Sequence, residues 1–408
     1  MSGITAGYIL SHSNDVTLFE ADGRLGGHAD THLVVPPAGP PLGVDTGFIV
    51  YNEHSYPLLT RLFTELGVGT QPSQMSMSVR CGGCGLQYAG QRGLAGLAAG
   101  LPRGRGRYLR LLAEVPRFHR AARRLLDLDQ REQAGQTLGD FLRAGGFSGY
   151  FTAHFALPLV AAVWSCPPRT ALRYPARYLF AFLAHHGMLS VSGSPPWRTV
   201  TGGSRCYVEL AAKRLHDIRL GTPVCAVRRH TDGIEVCDAF GESHRFDAVV
   251  VATHPDQALR LLDPPTKAER DVLGAFSYTE NPAILHTDAA VLPRRPSARA
   301  SWNYELSGCQ PDHSAVRISY HLNRLQDLPA SEDYIVTLGG QAVDPEKVLD
   351  RMDYAHPAYT PASVAAQRRL PALNTSVIAF AGAYHGWGFH EDGCRSGAKA
   401  AAALGGTW

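Results

Sequence analysis

The residues argue for an α/β protein with two parts. One is a Rossmann-type nucleotide-binding domain assembled from separate stretches of chain, and the other is an inserted α+β domain. The first observation is the run Val16-Thr17-Leu18-Phe19-Glu20, which closes on an acid and is followed by Arg24-Leu25-Gly26-Gly27. An apolar strand ending in a carboxylate, then a glycine turn, is how a doubly wound sheet holds an adenosine ribose through its hydroxyls. The second is that further buried-type strands occur in the middle, Ala248-Val249-Val250-Val251-Ala252, and near the end, Val377-Ile378-Ala379-Phe380-Ala381. Such continuous apolar runs suit strands covered on both faces. The third is that the material between them differs. Residues 94–190 read as helices rich in Leu, Ala and Arg, and 280–340 alternate like a separate sheet.

Taken in order, residues 5–12 read as a helix, 16–20 as a strand and 32–36 as a second strand. Pro36 to Pro41 is a turn cluster, and Gly43-Val44-Asp45-Thr46-Gly47 is a second glycine-rich loop. Leu58, Leu59, Leu62 and Phe63 recur at helical spacing within 55–66. Short strands follow at 223–228 and 234–237. The block Gly382-Ala383-Tyr384-His385-Gly386-Trp387-Gly388-Phe389-His390-Glu391-Asp392-Gly393 is expected to precede a final helix over 396–404. Its glycines permit close backbone approach to a flat ligand, and the helix start offers free N–H groups to an anion. The boundaries this implies are 1–56 plus 196–262 plus 365–408 for the nucleotide-binding domain. The substrate domain takes 57–195 plus 263–364.

One part of the expected site is missing. A strand such as 16–20 is normally second in its unit, after a first strand and G-x-G-x-x-G. Gly3 falls slightly fewer than about 20 residues before Glu20, where the last fingerprint glycine belongs. The first strand and the first two glycines are not in the sequence, and a start codon assigned too far downstream is the expected cause. A catalytically silent fragment or binding module is the alternative, because the phosphate-binding turn would lack its backbone cradle. An NAD(P)-dependent oxidoreductase on the same sheet is a second alternative, since Glu20 also suits a nicotinamide cofactor.

Composition excludes other classes. Net charge is +3 over 408 residues, so no global field marks a nucleic-acid binder. Eight scattered cysteines without a signal peptide suggest a reducing compartment, and no run is long enough to span a membrane. The expectation is a cytoplasmic protein of undetermined oligomeric state. Cys81-Gly82-Gly83-Cys84 has zinc-ligand spacing but no matching pair nearby, so it reads as a glycine-rich hairpin. His185-His186 reads as solvated or capping. Residues 101–125 interleave arginines with Leu, Tyr and Phe, which permits peripheral contact with anionic lipid.

These residues resemble the flavin-containing amine oxidase superfamily. The carrying features are Glu20, Arg24-x-Gly26-Gly27, Asp45-x-Gly47, Gly202-Gly203, Val249 to Thr253 and the Gly382 to Gly397 block. Within it the chain is most similar to the bacterial "predicted NAD/FAD-binding protein" group, through Gly47-Phe48-Ile49-Val50-Tyr51-Asn52, Ala162-Val163-Trp164-Ser165, Pro196-Trp197-Arg198-Thr199-Val200, His321-Leu322-Asn323-Arg324-Leu325-Gln326 and Tyr354-Ala355-His356-Pro357. The resemblance implies a glutathione-reductase-like FAD-binding domain and FAD as cofactor. It implies Gly3, Glu20, Arg24, Gly26, Gly27, Asp45, Gly47, Val224, Gly382, Ala383, Glu391, Asp392 and Gly393 as its contacts, with Tyr384 and Trp387 on the substrate side. The superfamily implies an amine as hydride donor, and because members of the group are often encoded near cyclopropane-fatty-acid-synthase-like proteins, the narrower resemblance implies an unsaturated or branched fatty-acyl lipid instead. Many amine oxidases place a lysine near flavin N5, whereas the lysines here, Lys213, Lys267, Lys347 and Lys399, fall in other contexts.

Overall fold

The fold is described from a computed structural model, which covers residues 1–90, 93–99, 105–128, 135–190, 193–310, 317–339 and 343–408. Helix Ser2–Leu10 starts three residues before the expected position and is buried on almost every side. Its sequence has no polar face, so it can only sit between other elements. Helix His390–Ala403 packs against it through Gly393 and Gly397. A Cβ on Gly397 would lie 2.3 Å from the Ser2 carbonyl oxygen, so only glycine permits this crossing.

The nucleotide-type elements form two separate parallel pairs. Thr17–Phe19 pairs with Asp217–Arg219, and Val249–Val251 pairs with Ile378–Phe380. Among the described residues no strand lies between the two pairs. The facing strands Thr17–Phe19 and Val249–Val251 instead line one cavity. An antiparallel sheet of Val224–His230, Gly233–Asp238 and Ser243–Phe246 stands beside them.

The other half is built on a seven-stranded sheet. Its order is Val348–Ala358, Ser277–His286, Ile335–Leu338, Ile318–His321, Trp302–Leu306, Met77–Cys81, Gln87–Gly90. All its pairings are antiparallel except that of Trp302–Leu306 with Met77–Cys81. Helices from Gly93 to His185 cover it and share its largest apolar core. Helix Arg105–Asp127 buries Tyr108, Leu111, Phe118, Ala122 and Leu125, while Leu109 and Arg110 face outward. Residues 101–104 of the basic stretch lie outside the described residues. Among the described residues no helix is long and apolar enough to cross a membrane.

Two sequence expectations need correction. The stretch around Gly43 is not only a loop, because Leu42–Asp45 forms a strand antiparallel to Thr31–Val34. Gly43 is there for close approach, since a Cβ would sit 2.3 Å from the Gly202 carbonyl oxygen. The last helix starts at His390 and not at Ser396, because the Asp392 carboxylate accepts from the Phe389 N–H at 3.1 Å and caps it.

Candidate functional site

One large cavity, of about 1730 Å³, runs through the molecule from the Thr17–Phe19 strand to the helices of the inserted half. Glu20 stands at its outer end. The Glu20 N–H donates to the Arg219 carbonyl and the Thr222 N–H to the Glu20 carbonyl, both at 2.9 Å, which extends the parallel ladder by one residue. This fixes the carboxylate at the strand's C-terminal tip, half-buried, and burial raises its pKa. Val224 opens the adjacent strand and lines the same end.

Gly3, Arg24, Gly26, Gly27, Gly47, Gly382, Ala383, Tyr384 and Gly393 also lie on the wall. Three of these glycines are required by close approach. A Cβ would lie 2.4 Å from the Ala29 carbonyl oxygen at Gly26, 2.2 Å from that of His28 at Gly47, and 2.1 Å from the Tyr384 ring at Gly382. Arg24 is held by the Gly27 carbonyl at 3.0 Å and the Asp30 carboxylate at 2.8 Å, so its position is set by the loop. Four expected residues are not on the wall. Asp45 is fully buried and accepts from Thr31 Oγ1 at 2.6 Å, Ser204 Oγ at 2.8 Å and the Ser204 N–H at 2.9 Å. It clamps the 31–45 hairpin to the Gly202-Gly203 turn, and burial raises its pKa to about 6. Glu391 caps helix Pro57–Leu66 through the Leu58 and Leu59 N–H groups and pairs with Arg395. Asp392 caps its own helix. Trp387 packs behind the wall on Tyr178, Phe182 and His185.

The middle of the cavity carries rings to which sequence reasoning gave no role in the site. His28 lies 5.0 Å from Tyr354, 5.5 Å from His356 and 6.3 Å from His254, centre to centre. Burial, reinforced by the neighbouring His356 and His254, drives the His28 pKa down to about 3. Burial likewise takes His356 to about 4. Phe48 and His390 stack at 3.6 Å. The inner end is aromatic: Trp164, Phe182, His186, Trp197, Trp302 and Tyr320 line it with Ile49, Val50, Met75 and Met188. His186, expected to be solvated or capping, is the C-cap of helix Ala176–His185, as expected, but at 3% exposed it is not solvated. It is buried because its Nδ1 hydrogen donates to the Phe182 carbonyl at 3.0 Å while its ring stacks parallel to Trp197. Burial sets its pKa at about 4, so it is neutral. Ser165, with φ 50°, takes the left-handed conformation at the helix end and presents Oγ 3.5 Å from Tyr320 Oη. That strain places a polar atom in an apolar chamber.

The cavity suits an extended dinucleotide with a flat ring system. Its volume, which includes the space between strands Thr17–Phe19 and Val249–Val251, exceeds the roughly 300–1,000 Å³ of ordinary small-ligand pockets. Two wall residues, His28 and Tyr384, bury a ring nitrogen and a hydroxyl with no partner among the described residues, which a bound group's polar atoms could satisfy.

The model of the flavin containing amine oxidoreductase family matches residues 1–308. The chain belongs to that family. As an amine-oxidoreductase-family protein it is an FAD-dependent oxidoreductase, and membership selects FAD over a nicotinamide cofactor, which Glu20 alone could not do. Similar solved structures agree on the fold. Cyclohexylamine oxidase from Brevibacterium oxydans IH-35A shares 16% identity at TM-score 0.67, covering 99% of this chain and 96% of that one. Wild-type putrescine oxidase bound to putrescine shares 15% identity at TM-score 0.67, covering 98% and 96%. A CLA-producing fatty acid isomerase from P. acnes shares 13% identity at TM-score 0.66, covering 97% and 94%. No curated protein matches the sequence.

Proposed function

We propose that this family member oxidises a neutral, largely apolar substrate, an unsaturated or branched fatty-acyl chain being the class that fits best. The carrying observation is the inner end of the cavity. Trp164, Phe182, Trp197, Trp302 and Tyr320 wall it, and its ionisable groups are held neutral. His186 is far below neutrality, and burial lifts the Tyr320 phenol to about 12. A carboxylate to meet a substrate ammonium is not found on this wall, and no lysine lines the cavity among the described residues. An apolar chain gains from burial there, at roughly 25 cal/mol per Å², whereas a cation would lose its hydration without a counter-charge.

Under this reading Glu20 holds the ribose. Gly26, Gly27 and the start of helix Ser2–Leu10 leave backbone room for the pyrophosphate, and Gly382 with Ala383 lie along the ribityl chain. Bound FAD supplies the electron sink that accepts hydride from a substrate carbon. The aromatic wall orients that carbon and excludes water, while Ser165 and Tyr320 offer the polar atoms to fix a carbonyl or hydroxyl. The structural relative named a fatty acid isomerase supports an acyl substrate. The relatives named as amine oxidases support an amine.

The test is anaerobic reduction of the FAD-loaded protein by a panel of fatty acids, acyl esters and primary amines, followed at the flavin absorbance. Bleaching by acyl compounds is the expected result. Bleaching by simple amines alone would overturn the substrate assignment. Failure to retain FAD, even with an N-terminal strand segment supplied, would return the chain to the silent binding-module reading.

A further inference from the structure

We propose that this protein binds a structural zinc ion through Cys81, Cys84, Cys309 and His154, in the inserted half and outside the flavin cavity. The four ligand atoms lie within 4.8 Å of one another. Cys81 Sγ is 3.9 Å from Cys309 Sγ, and Cys84 Sγ is 3.7 Å from His154 Nε2. A tetrahedral zinc with bonds of about 2.3 Å to sulfur and about 2.0 Å to nitrogen sets its ligands about 3.8 Å (S to S) and about 3.5 Å (S to N) apart. Two of the six edges of such a tetrahedron are therefore already present, and the remaining ligand pairs lie within 4.8 Å.

The surroundings are those of a ligand set and not of a chance cluster. Cys81 and Cys84 flank the tight turn between strands Met77–Cys81 and Gln87–Gly90, and the Gly85 N–H closes it onto the Cys81 carbonyl at 3.0 Å. Both intervening positions need glycine. A Cβ would lie 2.8 Å from the Ser307 carbonyl oxygen at Gly82 and 2.9 Å from the Cys309 nitrogen at Gly83, so the two loops are pressed together at the sulfurs. His154 is fully buried and belongs to a π-helical turn, Thr152–Ala156, a distortion that helices adopt mostly at functional positions. Its Nδ1 lies 3.0 Å from the Tyr150 carbonyl. A carbonyl can only accept, so Nδ1 carries the hydrogen and Nε2 presents its lone pair toward Cys84. That second-sphere contact is how metal-bound histidines are oriented. The Tyr150 hydroxyl stands 3.6 Å from Cys84 Sγ, placed to donate to a thiolate.

A closed set of three thiolates and one imidazole selects zinc and leaves no open position, which makes the site structural. On binding, three thiol protons leave to solvent and no electron is transferred. The ion would cross-link a hairpin, a helical turn and the loop after strand Trp302–Leu306. Trp164 and Trp302, on the helix and strand that continue from two of these segments, both line the aromatic chamber, so the site braces that wall from behind.

The experiment is elemental analysis of tag-free protein purified after growth with added zinc. The expected result is about one zinc per chain, falling at least fivefold in His154→Asn and Cys309→Ser. Because these variants could misfold, the wild type is also reduced, stripped with chelator and titrated with Co²⁺, where the intense absorption of a tetrahedral cobalt thiolate is expected. A thiol count under denaturing, chelating conditions should find all eight cysteines. Zinc absent from the wild type, no cobalt spectrum, or a count of six from a disulfide would each overturn the proposal. So would an iron–sulfur spectrum. None of these readouts depends on flavin or on turnover.

Discussion

Substituting Gly397→Ala tests the helix crossing on which the flavin site rests. In an ordinary helix interior the change is favourable by about 1 kcal/mol, because alanine restricts the unfolded chain and is the better helix former. Here the new Cβ would lie 2.3 Å from the Ser2 carbonyl oxygen, 3.1 Å from Thr5 Cβ and 3.2 Å from the Ala6 nitrogen. Two of the three are backbone atoms that no rotamer change can move. Restoring ordinary contact of about 3.4 Å or more requires helix Ser2–Leu10 to withdraw by about 1 Å, and overpacking of this kind costs about 1–3 kcal/mol. The net expectation is a loss of about 0–2 kcal/mol. The control is Gly106→Ala in the first turn of helix Arg105–Asp127, where no atom of the described residues lies within 4 Å of the new atom and a small gain is expected. Thermal melts of the two variants beside wild type give the stability comparison. Equilibrium dialysis of FAD reads the site, because the withdrawn helix carries Ser2 and Gly3 away from the cavity wall. A Gly397→Ala protein that gains as much stability as Gly106→Ala and binds FAD as wild type does would refute the close-crossing argument.

Two other predictions follow from buried polar groups. The buried Tyr384 hydroxyl has no partner among the described residues, so Tyr384→Phe should stabilise FAD-free protein by about 1 kcal/mol. If the hydroxyl meets the cofactor, the same variant weakens FAD binding severalfold; calorimetry and dialysis separate the two effects, and a less stable FAD-free variant would count against the unsatisfied hydroxyl. His186 has its pKa pushed below the ordinary 6.5 to about 4 by burial, so the unfolded chain takes up its proton first on acidification. The stability that neutral His186 supports is complete above about pH 6.5 and is lost as pH falls toward 4, at about 3 kcal/mol in all. His186→Gln should flatten the fall in melting temperature between pH 6.5 and 4, and an unchanged slope would show that this histidine does not drive it.

Much of the nucleotide-binding half is written locally. A parallel strand covered on both faces must be apolar throughout, so Val249–Val251 and Ile378–Phe380 could be read without knowing their partners. Glu20 was legible because a charged residue ending such a strand has few roles. The helix of Ser2–Leu10 was legible in kind but not in extent, since its burial on nearly every side removes the periodic face that marks a boundary.

What the sequence could not carry is where side chains turn and what distant segments meet. Asp45, Glu391 and Asp392 have the residue type of a cofactor ligand, yet each is drawn away by backbone N–H groups that need an acceptor at a turn or helix start. Local spacing cannot show that competition. The aromatic chamber joins residues from several loops, two helices and three strands, and burial alone distinguishes its neutral His186 from a solvated one. The cysteine pair is the sharpest case. Two ligands three residues apart were visible, but a metal site needs four directions around one point. Cys309 and His154 reach that point only because strand Trp302–Leu306 pairs beside Met77–Cys81 and a π turn aims the imidazole at it. Sequence alone determined the class of fold, since that rests on short-range pattern, and family membership selected the cofactor that Glu20 by itself left open; tertiary structure decided which polar groups remain free to act, because that depends on what packs against them.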